Sequence, residues 1–171
     1  MTVDEPISIS DYQANWPAWF SEEAQAIRGL AGVVGIEHFG STAVPGLAAK
    51  PIVDILVGVD PWPLDEAAKD KFAALKYEFC GDAGIHSRLY FRKRGAKAFN
   101  VAVVKWNSSL WNDNLLVRDY LRAHPMEAAE YAAHKLRAFA QGNQMLLAYS
   151  HYKNEYVANL LARARRWPGK T

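Results

Sequence analysis

The sequence predicts an α+β fold: a mixed β-sheet with packed helices and a helical C-terminal third. Three observations lead there. Residues 33–104 carry short apolar runs separated by glycine- and proline-marked turns. The later runs are joined by short connections, which favour antiparallel neighbours and make the sheet mixed. Beyond Asn107 the apolar residues recur at helical spacing.

The first helix begins near Asn15-Trp16-Pro17, where Pro17 suits a first turn. Trp16, Phe20, Ala24 and Ile27 form its apolar stripe, and Gly29 and Gly32 end it. Strands are expected over residues 33–39, 52–59, 77–80, 89–93 and 98–104, with a helix over 64–75 introduced by Pro61 and Pro63. Gly81, Gly84 and Gly95 mark turns. Asn107-Ser108 caps a helix reaching about residue 123. His124-Pro125 breaks it, because proline disfavours a helical residue before it. The next helix spans about 126–140, and Gly142-Asn143 stops it. A last helix, about 144–166, is expected to turn Leu147, Tyr156, Leu160 and Leu161 inward. No linker or repeat interrupts the chain, so residues 1–171 read as one domain, with a sheet-rich core at about 33–104 and a helical part at about 108–166.

Composition narrows the function. With 171 residues, half of them hydrophobic and 22% charged, the chain can bury a substantial core. A net charge of +2 is too small to imply nucleic acid. Arg88 with Arg92-Lys93-Arg94 can still hold a small anion, whereas Arg163-Ala164-Arg165-Arg166 reads as a solvated helix end. The single cysteine, Cys80, excludes an intrachain disulfide and a cysteine-based zinc site, and reads as a buried, inert thiol. No apolar run has the length of a membrane span, and the acidic first residues lack a signal-peptide core. A cytosolic protein without nucleic-acid or membrane partners is expected.

The chemistry concentrates at Gly40-Ser41 and Asp54. Glycine after a strand lets backbone approach a ligand, and the Ser41 hydroxyl can donate to a phosphate oxygen. Asp54 interrupts an apolar strand 13 positions later, where an unpaired charge is costly. Two adjacent strands can thus present a phosphate-binding turn and a metal-binding carboxylate to one cleft. Magnesium needs few protein ligands, since it keeps waters and takes phosphate oxygens. The structural alternative is Asp54 held by backbone N–H groups, Lys50 or an arginine.

Glu37 and His38 point to opposite strand faces, so only one of them can face Asp54's cleft. Glu37 can add a carboxylate; His38 is either a base or a hydrogen-bonded core histidine. Lys50 is either a phosphate ligand or an exposed loop lysine. Arg88, Tyr90 and Arg92 share a face by the strand period and form a basic ridge, or else a charged edge strand. Arg118 and Arg122 lie one helical turn apart, with Asp119 placed to pair with Arg122. Tyr149, Tyr152, Lys153 and Tyr156 share much of one side of the last helix, with Lys153 a further phosphate candidate. His86, His124, His134 and His151 lack metal-ligand spacing.

The run from Ile36 to Ile55, with Gly40-Ser41-Thr42-Ala43-Val44-Pro45-Gly46 and Lys50-Pro51-Ile52-Val53-Asp54 at its heart, resembles the signature of the GrpB family. Asp11 to Pro17, Phe20 with Glu22-Glu23, Tyr90 to Lys93 and Arg118 to Pro125 extend the resemblance over nearly the whole chain. That family belongs to the nucleotidyltransferase-fold superfamily and also occurs fused to some dephospho-coenzyme A kinases. The resemblance therefore implies a nucleotidyltransferase-like sheet. In the superfamily a Gly-Ser turn precedes a strand reading Asp-x-Asp, and a later strand adds a third carboxylate, together holding divalent metal. Gly40, Ser41 and Asp54 match; Leu56 stands at the second acid. Where many relatives carry His-x-His, this chain has Asn100-Val101-Ala102.

The implied reading is an enzyme that binds a nucleoside triphosphate, as ATP with magnesium. It is a transferase passing a nucleotidyl group to a small molecule, or a ligase activating one. Asp54 and Glu37 would hold metal and Asn100 would complete the catalytic set, while Gly40, Ser41, Lys50, Arg88, Arg92 and Lys153 would bind phosphate. The alternatives are a nucleotide- or small-ligand-binding domain without catalysis, and a metal-independent enzyme using the same pocket.

Overall fold

In the computed structural model, which describes residues 4–142 and 144–169, the chain runs α1 (Trp16–Arg28), β1 (Val33–Phe39), β2 (Val53–Val59), α2 (Glu66–Ala74), β3 (Glu78–Phe79), β4 (Arg88–Lys93), β5 (Phe99–Lys105), α3 (Ser109–Ala123), α4 (Pro125–Ala140) and α5 (Leu146–Arg166). The five strands form one sheet in the order β1-β2-β5-β4-β3. β2 and β5 run parallel at its centre, and the other neighbours are antiparallel. The mixed sheet expected from the short later connections is therefore present.

Period-two alternation distributes the central strands between two helical layers. Ile55 and Val57 of β2, with Val101 and Val103 of β5, face α1 and α2 and pack with Trp16, Ile27 and Phe72. Leu56, Ala102 and Val104 face the other way and pack on Trp111 of α3. Burying each large side chain contributes about 1.5–3 kcal/mol, which explains why both strands are apolar on both faces. A third cluster joins Val44 and Leu47 to Tyr120, Leu121, Tyr131 and Leu160, so α3, α4 and α5 are tied to the loop after β1. Asp54 and Asn100 are the polar exceptions, and both face the C-terminal helices.

Capping accounts for several boundaries. Asp65 accepts from the Ala68 N–H at the start of α2, and Ser108 accepts from the Trp111 N–H at the start of α3. Pro125 occupies the first turn of α4, one residue before the expected start. Gly142 follows α4 with φ +91°, whereas Asn143, the other residue of the expected stop, lies outside the described residues. One inward assignment is corrected: Leu147 is 51% exposed. The buried stripe of α5 runs through Leu146, Tyr149, Leu160 and Ala164, and Leu147 lies about 100° round the helix from Leu146.

Candidate functional site

The register across the sheet builds the site. Asp54 is opposite Phe39 of β1 on one side and Asn100 of β5 on the other. Asn100 Nδ2 donates to Asp54 Oδ1 at 2.8 Å, and Asn100 Oδ1 accepts from Arg94 Nη2 at 2.9 Å. Arg94 in turn pairs with Glu5 at 2.5 Å. Asn100 is thus oriented from both ends, and its oxygen is committed to Arg94 rather than turned toward a ligand. The second carboxylate oxygen of Asp54 lies under Gly40, where a β-carbon would come within 2.7 Å of it.

Above this pair opens a cleft of about 530 Å³, a size suited to a small organic ligand. Gly40, Ser41, Lys50, Asp54, Arg88, Asn100 and Lys153 line it, so seven sequence-selected residues meet in one place. Tyr90, Tyr131 and Tyr149 form aromatic walls. Arg88 donates to the Asp82 and Ala83 carbonyls and lies 4.9 Å from the Tyr90 ring, which fixes it at the rim. Lys153 Nζ is 4.8 Å from the Tyr149 ring.

Cations dominate the cleft. Asp54 is the single acidic residue among its described lining residues. Burial pushes the Lys50 ammonium down to about 8, with Asp54 opposing that shift and Lys153 adding to it. Burial likewise lowers Lys153, against the attraction of Asp54. Packing several amines around one carboxylate suits a multiply charged anion, whose arrival would restore the charge that desolvation removes.

Several expectations are corrected. Glu37 does not line the cleft: it pairs with Arg118 at 2.7 Å, because β1 sets it beside Leu56, one step beyond Phe39, and α3 covers that position. Arg92 is also outside the lining, since the neighbouring strand brings Glu78 within 2.7 Å. The anion-holding cluster of Arg92, Lys93 and Arg94 is neutralised by Glu78, Glu23 and Glu5 respectively. The expected Asp119–Arg122 pair is present at 3.8 Å, and Arg118 joins it with a closer contact to Asp119 at 2.7 Å. His38 faces α1, stacks on Phe20 and meets Thr42 at 2.9 Å; burial drives it down to about 4, so it is a neutral core histidine. Cys80 is half-buried rather than buried, and burial raises its thiol.

Sequence reasoning missed Lys135. Its side chain is 1% exposed, and Nζ donates to Ser41 Oγ at 3.0 Å and to the Ala48 carbonyl. The signal was present: Ala128, Tyr131, Lys135 and Ala138 are the buried residues of α4, so a lysine sits on an apolar helical stripe.

The residues do not fit a two-metal set. The positions that would supply further ligands hold Leu56 and Ala102, packed against Val104 and Trp111. Among the described residues no group of three or more His, Cys, Asp or Glu is arranged to hold a metal ion. One carboxylate, Asp54, remains for a cation that a phosphate ligand itself would carry.

The sequence pattern of the GrpB protein family matches residues 6–163. The chain is 34% identical over 164 residues to the UPF0157 protein YqkA of Bacillus subtilis, covering 94% of this chain and 48% of that protein, so it spans about half of that relative's length. It is 35% identical over 168 residues to the UPF0157 protein PA4798 of Pseudomonas aeruginosa, covering 94% and 69% of the two chains. The crystal structure of the conserved protein GrpB from Enterococcus faecalis superposes with a TM-score of 0.83 at 31% identity, over 93% of this chain and 98% of that one.

Proposed function

The chain belongs to the GrpB protein family, and from that premise we propose that its cleft takes a nucleoside triphosphate. It either transfers the nucleotidyl group to a small molecule or activates that molecule for ligation. The observation that carries the reading is the gathering of Lys50, Lys153 and Arg88 around Ser41 and Asp54 in one cleft. Ammonium and guanidinium groups there neutralise phosphate oxygens through charge-assisted hydrogen bonds. Ile85 and Leu147, exposed apolar side chains at the cleft mouth, offer surfaces to a planar base. Magnesium belongs to this reading as the ion that accompanies ATP, with Asp54 the one carboxylate available to it among the described lining residues. The protein would act in the cytosol on small molecules.

The burial of Leu56 and Ala102 at the missing ligand positions favours a second reading, a nucleotide- or small-ligand-binding domain without catalysis. Calorimetric titration with ATP, with and without magnesium, separates the two. Saturable binding that weakens about 10- to 100-fold in Lys153→Ala is expected, the loss of one charge-assisted contact. Magnesium dependence that disappears in Asp54→Ala supports catalysis; binding indifferent to both supports the second reading. Absence of saturable ATP binding overturns the nucleotide assignment.

A further inference from the structure

A serine that lines a cleft and touches a buried amine has the arrangement of an activated nucleophile. Ser41 Oγ is 3.0 Å from Lys135 Nζ, and the Tyr131 hydroxyl also interacts with Ser41. Ser41 is half-exposed on the cleft wall, whereas Lys135 lies behind it, away from solvent. Among the described residues, no carboxylate forms an ion pair with Lys135; its second contact is the neutral Ala48 carbonyl. We propose that Ser41 is a covalent nucleophile with Lys135 as its general base, attacking phosphorus in a phosphate anhydride held in the cleft.

The geometry lets one amine serve both proton states. As a neutral amine, Lys135 donates to the Ala48 carbonyl and receives the Ser41 O–H at its lone pair. Attack by Ser41 Oγ forms an O–P bond and breaks the bond from phosphorus to the bridging oxygen, whose electron pair leaves with pyrophosphate. The serine proton passes to Lys135, and the resulting ammonium returns it to a leaving oxygen. Attack by an acceptor hydroxyl or amine on the seryl-bound phosphorus then forms the acceptor–phosphorus bond and breaks the Ser41 Oγ–phosphorus bond. The acceptor's proton passes through the now neutral Lys135 to the departing Ser41 oxygen, so no oxidant or further reactant is needed. Lys50 and Lys153 stand where charge on the phosphoryl oxygens must be stabilised.

The surroundings favour the neutral amine. Burial, reinforced by Lys153 and Lys50 and opposed by Asp54, pushes Lys135 down to about 7. Tyr131, whose ring lies 4.8 Å from Lys135 Nζ, is raised by burial and remains a neutral hydroxyl at that pH, as does Tyr149 on the cleft wall. A base near neutrality is the one best matched to proton transfer in that range. The inference rests on the nucleotide reading only for the identity of the anhydride.

A fluorophosphonate ester tests the nucleophile without nucleotide. Attack on it forms the Ser41 O–P bond and expels fluoride, leaving a mass increment that peptide mapping locates. Labelling at Ser41 is expected, with its rate rising as pH increases through about 7. It should be absent in Ser41→Ala and reduced about 100-fold or more in Lys135→Met, the size of a general-base contribution. Should Lys135→Met not fold, the pH profile of the wild-type labelling rate carries the test by itself. No label on Ser41, a label on another residue alone, or a rate flat between pH 6 and 8 overturns the proposal. Calorimetry with ATP answers the nucleotide question separately, so labelled Ser41 without ATP binding leaves the dyad standing and removes only its nucleotide substrate.

Discussion

At Gly40 the backbone turns with φ +69° and ψ −167°, a region open essentially to glycine alone. The position a β-carbon would take is also 2.7 Å from Asp54 Oδ2. Two penalties therefore coincide at one residue. Gly40→Ala should lower stability by about 1–3 kcal/mol from backbone strain, and also push Asp54 off Asn100. Urea denaturation measures the first effect, and ATP titration of the folded variant measures the second. An unchanged midpoint would show that the turn relaxes freely. Here the sequence was informative, because glycine before serine at a strand end already pointed to close approach. It could not reveal Glu37's partner: Arg118 lies 81 positions away in the chain, and only the packing of α3 over β1 joins them. Lys135 escaped for a related reason, since a lysine reads as solvated until its helical stripe is set against three buried neighbours.

At the level of elements, the β2–β5 pair determines which side chains of these strands reach the cleft. Parallel register places Asp54 beside Asn100 and Leu56 beside Ala102. The first row is polar and opens to the cleft; in the second, Leu56 is fully buried in the cluster with Trp111, while the buried Ala102 also reaches the cleft wall. Placing an acid at Leu56 does not restore a metal site, because Trp111 of α3 already packs against that position. Leu56→Asp should destabilise the fold by roughly 3–5 kcal/mol, the range for an uncompensated buried charge, and magnesium should not recover the loss. Thermal unfolding with and without magnesium checks this; stabilisation by the ion would mean that the helix yields and a site forms. The strands themselves were legible from apolar runs and turn residues. Their order was not, because β5 inserts between β2 and β4 through long-range pairing that no local pattern specifies. Clustering of the cleft cations follows from that order and was equally hidden.

Across the whole molecule, three buried basic groups, His38, Lys50 and Lys135, act on stability with one sign below the range in which tyrosines titrate. His38 is lowered from 6.5 to about 4, so between those values the unfolded chain binds a proton that the native state refuses. Lys135 and Lys50 are lowered from 10.5 to about 7 and about 8, and the same inequality holds from those values up to 10.5. Stability rises with pH wherever the unfolded state holds more protons, by at most about 1.4 kcal/mol per pH unit for each such group. Glu5 and Glu78, lowered chiefly by hydrogen bonds from Arg94 and Arg92, add stability that is lost as pH falls below the ordinary carboxylate range. The urea midpoint should therefore climb from pH 4 to pH 9 instead of peaking near neutrality. Lys135→Met should flatten the upper part of that curve, and His38→Gln the lower part. A midpoint that stays flat between pH 7 and 9 would mean that the cleft amines stay charged in the folded protein. A bound polyphosphate should produce that flattening by supplying the counter-charge, so repeating the series with inorganic triphosphate links the stability curve to occupancy of the cleft.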